Sequence, residues 1–189
     1  ATEGMGLARE LKAQGKQVFL DWKLHDIGTT VQRAAAALAD SGCDFLTVHG
    51  EPQVMASAVR GRGRSDLKIL AVTVLTSLSE EDLREMGYVD SARALVERRI
   101  HQAIHTGCDG VIASPHEAEL ARRLGGKDFL VVTPGVRPDW SAKNDQARVA
   151  TPREALAAGA SHIVCGRPVT AANDPRAAAQ RIVAEMAGA

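Results

Sequence analysis

Rings are scarce in this sequence of 189 residues: three Phe, two Trp and one Tyr make up 3% of the chain. Excess charge is missing as well, since 23 Lys and Arg face 23 Asp and Glu. Nucleic-acid binders carry a basic surplus that tracks phosphates and rings on which bases stack, so no nucleic-acid partner is expected. The one basic run, Arg60-Gly61-Arg62-Gly63-Arg64, has no aromatic interleaved and precedes an apolar run, so it reads as a solvated helix-to-strand turn. Cysteine is limited to Cys43, Cys108 and Cys165. This odd, widely spaced set has no CxxC pair, indicates neither a disulfide framework nor a zinc site, and predicts buried, inert thiols. No apolar run reaches the roughly 18 residues that span a bilayer, and the start lacks a basic stretch followed by an apolar one. No membrane partner is expected, and the expected location is the cytoplasm. No Gly-x-Gly-x-x-Gly follows a strand, which removes a dinucleotide cofactor. His25, His49, His116 and His162 form neither HExxH nor a helical i,i+4 pair, so they read as hydrogen-bonded histidines rather than metal ligands. A small molecule or another protein remains as the partner.

What the chain does have is 45% hydrophobic residues, enough for one domain with a sizeable core. They are organised. Short runs rich in β-branched residues recur at Gln17–Asp21, Asp44–His49, Lys68–Leu75, Asp109–Ala113, Asp128–Thr133 and Ser161–Cys165. Their apolar character is continuous rather than alternating, the habit of parallel strands buried on both faces. Between them, charges fall at helical spacing in Val31–Asp40, Pro52–Arg60, Ala92–Thr106, His116–Leu124, Pro152–Ala158 and Pro175–Ala187. Five helices are closed by glycine before the next strand, at Gly15, Gly42, Gly107, Gly126 and Gly159; glycine accepts the left-handed conformation that ends a helix. The pattern is a wound parallel sheet.

Chemically capable residues gather after the strands: Asp21 to Asp26, His49-Gly50, Thr76-Ser77, Ser114-Pro115-His116, Pro134 to Arg137, and Gly166-Arg167. An open α/β sheet binds at one switch point, whereas a β/α barrel uses the carboxyl ends of many strands. Six equipped strand ends favour the (β/α)8 TIM barrel.

Asp21 and Lys23 are two apart, so at a strand end their side chains share one face while Trp22 points away to pack against helices. A carboxylate and an ammonium in a partly desolvated place must pair, and Asp26 adds a second carboxylate. Gly166-Arg167 after the last strand reads as a phosphate grip, because glycine allows close backbone approach and arginine reads the anion with a planar fork. Pro134-Gly135-Val136-Arg137 strengthens it, since barrels often bind phosphate at the loops after their last two strands. The polar stretch Pro138–Arg148 is long for a connection inside a barrel and reads as a lid, with Gln146 placed to close over a ligand.

Together, Asp21-Trp22-Lys23-Leu24-His25-Asp26-Ile27, Leu75-Thr76-Ser77, Thr133-Pro134-Gly135-Val136-Arg137-Pro138, Asp145-Gln146 and Cys165-Gly166-Arg167-Pro168-Val169 resemble orotidine 5′-phosphate decarboxylase of the bacterial type, in that family's order and across essentially the whole chain. The resemblance implies a dimeric β/α barrel with no cofactor and no metal that makes uridine 5′-phosphate. It implies that Lys23 stabilises the carbanion left at C6 and delivers its proton, with Asp21 beside the departing carboxylate. Asp26 and Thr30 would serve the neighbouring site across a homodimer, and Ile27 would contact the substrate. Thr76 and Ser77 would face the pyrimidine, Arg137, Gln146, Gly166 and Arg167 would bind and cover the phosphate, and Pro134 would contact the substrate.

Two departures from the family stand out. The loop that usually reads Asp-Ile-Pro-Asn-Thr is Asp26-Ile27-Gly28-Thr29-Thr30 here, which is expected to loosen the turn. Family members also begin with two further strands, one ending in Asp and one in Lys, and neither is in this sequence; Lys12 and Lys16 lie on and just after a helix and do not replace them. The expectation is therefore a single barrel domain over residues 1–189, N-terminally incomplete, with six of eight strands. A barrel takes about 250 residues and at least about 200, so the length agrees with a deficit of about one strand-crossover-strand unit. Two rival functions stay open at this point. One is a Mg²⁺-dependent sugar-phosphate decarboxylase that shares the Asp-x-Lys-x-x-Asp motif. The other is a truncated, inactive nucleotide-binding or scaffold protein.

Overall fold

The computed structural model describes residues 4–141 and 150–188. The chain divides into two compact units, Ala1–Thr73 with Arg99–Val111, and Val74–Arg98 with Ile112–Ala189. The first holds α1 (Gly4–Ala13), β1 (Phe19–Leu24), α2 (Gly28–Ala39), β2 (Phe45–His49), α3 (Pro52–Arg62) and β3 (Lys68–Val72). The second holds α4 (Glu80–Glu85), α6 (Ala118–Gly125), β5 (Leu130–Thr133), α7 (Pro152–Ala157), β6 (His162–Ile163), α8 (Arg167–Thr170) and α9 (Pro175–Ala187). The division falls within α5 (Ala92–Thr106) and β4 (Gly110–Ile112).

Strand order is sequential in each unit. In the first, β1 and β2 pair in parallel with Phe19 opposite Phe45, and β2 pairs with β3 from Phe45–Lys68 to His49–Val72. In the second, β5 and β6 pair in parallel with Val132 opposite His162. Sequential parallel neighbours with helices between them, and no reversal of order, are the α/β pattern of the TIM barrel rather than of an open sheet with a switch point. In β2 and β3, Leu46, Thr47 and Val48, then Ile69, Leu70 and Ala71, have no exposed surface. Consecutive side chains point to opposite faces, so both faces are covered, as the continuous apolar runs require. All five junction glycines adopt positive φ, from 72° at Gly15 to 104° at Gly159.

Three of these glycines open a repeated latch. Two residues after Gly42, the N–H of Asp44 donates to the Val18 carbonyl while its carboxylate accepts the Val18 N–H at 2.6 Å. Two residues after Gly107, Asp109 does the same with Ile69, its carboxylate accepting at 2.9 Å. Two residues after Gly159, the hydroxyl of Ser161 accepts the Val131 N–H at 2.9 Å. Each latch therefore closes the first hydrogen bonds between one strand and the next. The residue between, Cys43, Cys108 or Ala160, is small and buried. A basic residue near the end of the helix before the earlier strand completes each one. Lys12 pairs with Asp44 at 2.9 Å, Arg62 pairs with Asp109, and Arg122, with no carboxylate to meet, donates to the carbonyls of Gly126, Lys127, Phe129 and Gly159.

Several expectations need correction. β1 starts and ends later than Gln17–Asp21, which puts Asp21 and Lys23 inside the strand. β3 stops at Val72 rather than Leu75, and bend and turn follow. Both α4 and α8 span too few residues to show a helical period; α4 is set instead by the capping box of Ser79 and Asp82. Trp22 does not pack among helices: it is 45% exposed. The basic run is not wholly solvated either, since α3 continues through Arg62 and its side chain is only 16% exposed in the pair with Asp109. Cys165 is half-buried rather than buried.

Candidate active site

In the first unit the site begins with an irregularity in β1. The β1–β2 register shifts between Leu20 and Leu24, and Lys23 has φ 47°. A long side chain with a Cβ rarely takes this left-handed conformation, and such strain persists only where its surroundings hold it. The simple alternation expected for residues 21–23 is thus broken, yet the pairing is made: Lys23 Nζ donates to Asp21 Oδ2 at 2.5 Å. Neither side chain is deeply buried, with 37% of Lys23 and 49% of Asp21 exposed, so the ion pair stays accessible to a ligand. Behind it stands Thr47, a residue that motif reading overlooked. Its buried hydroxyl accepts the Lys23 N–H at 2.9 Å and donates to Asp21 Oδ1 at 2.9 Å.

His49, two residues along β2 and so on the same face as Thr47, stacks on His25 with centroids 4.6 Å apart. Burial, with His25, Arg99 and Lys23 nearby, holds the His49 imidazole below its usual range, against the opposing pull of Glu51. Glu51 accepts from Arg99 at 3.0 Å and lies 3.7 Å from His25. Two of the four histidines expected to be ordinary, His25 and His49, thus pack together beside the ion pair. Neither Thr47 nor Glu51 has a motif; the available signal was period two along β2 from His49. Among the described residues, no cluster of three or more His, Cys, Asp or Glu is placed to hold a metal ion.

Asp26 follows in the turn, where its carboxylate accepts the Ile27 N–H at 2.6 Å. Ile27 is 71% exposed and Thr30 is exposed on the first turn of α2. Gly28 does not loosen this turn. It is buried against α3, and a Cβ there would lie 2.8 Å from the Ser57 hydroxyl, so the close helix requires glycine.

In the second unit, Thr76 and Ser77 form an exposed turn after β3. Thr76 borders a cavity of about 40 Å³ that also receives Ser114, whose buried hydroxyl has no partner among the described residues. After β5, Pro134 and Gly135 lead to Arg137, which is 7% exposed and whose N–H donates to Ala150 O at 2.8 Å. Its buried Nε has no acceptor among the described residues. Gly166 heads α8, followed by exposed Arg167, and a Cβ at Gly166 would have no described residue within 4 Å, which leaves room for an approaching group. Gln146 lies outside the described residues, as does most of the lid stretch. A larger cleft of about 420 Å³, lined by Glu80, Arg93, His116 and Arg123 among others, contains His116 of the strand-end set but none of the residues expected to act on or bind the substrate.

Sequential parallel strands alternating with helices, with a lysine–carboxylate pair in one unit and an enclosed arginine and an open glycine in the other, are the features of the β/α-barrel class of enzymes. The family model described as "Orotidine 5'-phosphate decarboxylase / HUMPS family" matches residues 1–182, and the chain belongs to that family. Among curated proteins, it is 72% identical over 188 residues to "Orotidine 5'-phosphate decarboxylase" of Caulobacter sp. (strain K31), covering 100% of this chain and 82% of that protein. It is 55% identical to the protein of the same description from Rhodopseudomonas palustris (strain BisA53), over 98% of this chain and 79% of that one. The crystal structure of orotidine 5'-phosphate decarboxylase from Lactobacillus acidophilus superposes with a TM-score of 0.84 at 41% identity, over 96% of this chain and 80% of the other. The family description spans two branches, and these relatives carry the orotidine name, which disfavours the Mg²⁺-dependent sugar-phosphate alternative.

Proposed function

We propose that this protein decarboxylates orotidine 5′-phosphate to uridine 5′-phosphate, a lyase step of pyrimidine biosynthesis. The observation that carries the reading is the Asp21–Lys23 pair, 2.5 Å apart in β1, in a chain 72% identical along its length to a curated decarboxylase of that substrate. Breaking the bond from C6 to the carboxylate leaves an electron pair in the ring plane, where the π system does not delocalise it. An ammonium already in place stabilises that charge without reorganisation. The pair then takes a proton from Lys23 Nζ, and CO₂ departs. Asp21 lies beside the leaving carboxylate and opposes the lysine charge.

Thr76 and Ser77 face the pyrimidine in this reading, while Arg137, Gln146, Gly166 and Arg167 hold the phosphate and Pro134 contacts the substrate. An enclosed guanidinium with a donor lacking an acceptor supports an anion at Arg137, because buried donors are normally satisfied. Binding energy from the remote phosphate can then be spent on the chemistry. Asp26 and Thr30 serve a neighbouring protomer's site in a homodimer, a role supported by their exposure on the turn into α2, and Ile27 contacts the substrate. We place the enzyme in the cytoplasm, and no helix among the described residues is long and apolar enough to cross a membrane.

In the complete protein, Lys23→Ala is expected to abolish release of CO₂ from orotidine 5′-phosphate, and turnover like wild type would remove the reading. Mixed Lys23→Ala and Asp26→Ala protomers should regain about a quarter of wild-type activity, since random pairing gives half the dimers one intact site. Mixtures that stay inactive after reassembly would exclude shared sites.

A further inference from the structure

We propose that Thr47 is a positioning residue for the reaction: its hydroxyl holds the Lys23 backbone in the left-handed conformation and fixes Asp21, and so sets the geometry of the ion pair. The inference rests on the decarboxylase reading for its kinetic test only. In an unbroken strand, side chains two apart share a face but stand roughly 7 Å apart, twice the 3.3 Å rise. In β1 the register shift and the φ of 47° at Lys23 bring Nζ to 2.5 Å from Asp21 Oδ2. Something must hold that conformation against its intrinsic cost.

One atom meets the requirement. Thr47 Oγ1 accepts the Lys23 N–H, which the bulge has taken out of the ladder, and gives its proton to Asp21 Oδ1. The Leu20 carbonyl, at 3.5 Å, is the more distant acceptor for the same proton. The hydroxyl therefore grips the pair twice, at the backbone of one member and the free oxygen of the other. Thr47 has no exposed surface and sits mid-strand in β2 between Leu46 and Val48, both fully buried, so it moves little. A valine would fill the same volume and make neither bond.

Four forms of the complete protein distinguish a hydroxyl role from packing: wild type, Thr47→Val, Thr47→Ala and Thr47→Ser. Each is assayed for kcat and KM with orotidine 5′-phosphate and for binding of uridine 5′-phosphate. Misplacing a reacting group by about 1 Å costs on the order of 100-fold. Thr47→Val and Thr47→Ala are therefore expected to lose kcat by a similar factor of that order, with KM and product affinity little changed, while Thr47→Ser keeps most of kcat. A merely structural threonine would give the opposite ranking, with valine near wild type and serine and alanine losing with volume; that ranking overturns the proposal. A crystal structure of Thr47→Val, or of Thr47→Ala if valine does not fold, gives a readout independent of activity. Lys23 returning to negative φ, with Nζ more than about 4 Å from Asp21 and so outside ion-pair range, supports the proposal, and an unchanged pair refutes it. If wild type itself fails to release CO₂, the functional reading falls while this structural arm still decides on Thr47.

Discussion

Asp109 offers the sharpest test of how the strands are joined. Its carboxylate accepts the N–H of Ile69, a residue with no exposed surface, and pairs with Arg62, whose side chain is 16% exposed. Asp109→Ala removes both contacts at once, along with a weaker one to exposed Lys68 at 3.5 Å that contributes little. Leaving a buried N–H unpaired costs about 1–3 kcal/mol. Stranding a buried cation costs about 3–5 kcal/mol when water is fully excluded, but Arg62 keeps some access to water and the arginine contribution shrinks accordingly. A total of about 2–4 kcal/mol follows, or roughly 5–15 °C in Tm for a chain of this size. Asp109→Asn separates the two losses, because an amide oxygen still accepts from Ile69 while the charge is gone, so it should fall between wild type and alanine. Ser161→Ala, which has no ion pair to lose, should resemble asparagine more than Asp109→Ala. Thermal unfolding followed by circular dichroism reads all three, with exposed Asp66 mutated to alanine as the reference. Below the transition, kcat should hold, because the latch lies at the amino ends of the strands, away from Lys23. Asp109→Ala melting within a degree or two of Asp66→Ala would refute the reasoning.

The remaining predictions concern titration and thiol chemistry. Burial pushes the Asp44 carboxyl up, but the Val18 N–H and the Lys12 ammonium outweigh it and hold the group below its ordinary value. The unfolded chain then binds the extra proton first, so this stabilisation is complete above about pH 3.9, the unfolded value, and is lost as pH falls through the folded one. Urea unfolding from pH 6 down to pH 3 should show wild type losing more stability than Asp44→Asn, and parallel losses would contradict the assignment. Burial pushes the Cys108 thiol up to about 11, so iodoacetamide at pH 8 should label half-buried Cys165 before Cys108 in the native protein. Mass spectrometry gives the order, and equal rates would show that Cys108 is reached by solvent.

The parts of the fold that were legible in sequence are those with local causes. A run such as Lys68-Ile69-Leu70-Ala71-Val72 declares a strand covered on both faces, and glycine at 15, 42, 107, 126 and 159 declares where helices end, because each statement needs only the neighbouring residues. The latch was half legible. Gly42-Cys43-Asp44 and Gly107-Cys108-Asp109 are nearly the same word, yet what the aspartate does depends on Val18 and Ile69, 26 and 40 residues away. It also explains the two cysteines, which stand where the third latch has Ala160 and serve as small buried spacers rather than as reactive thiols. At the site, Asp21, Lys23 and Asp26 were visible because their charges stand against an apolar approach. Thr47 was not, since a threonine within a β-branched strand is what strand propensity alone would place there. Its role arises from the left-handed Lys23, and non-glycine backbone strain leaves no mark in composition or periodicity. Conformations of this kind need a partner elsewhere in the chain, so the residue that enables them is found by asking who accepts the displaced N–H. That question leads from Lys23 to Thr47. It applies equally to the buried hydroxyl of Ser114 and Nε of Arg137, whose partners no described residue supplies.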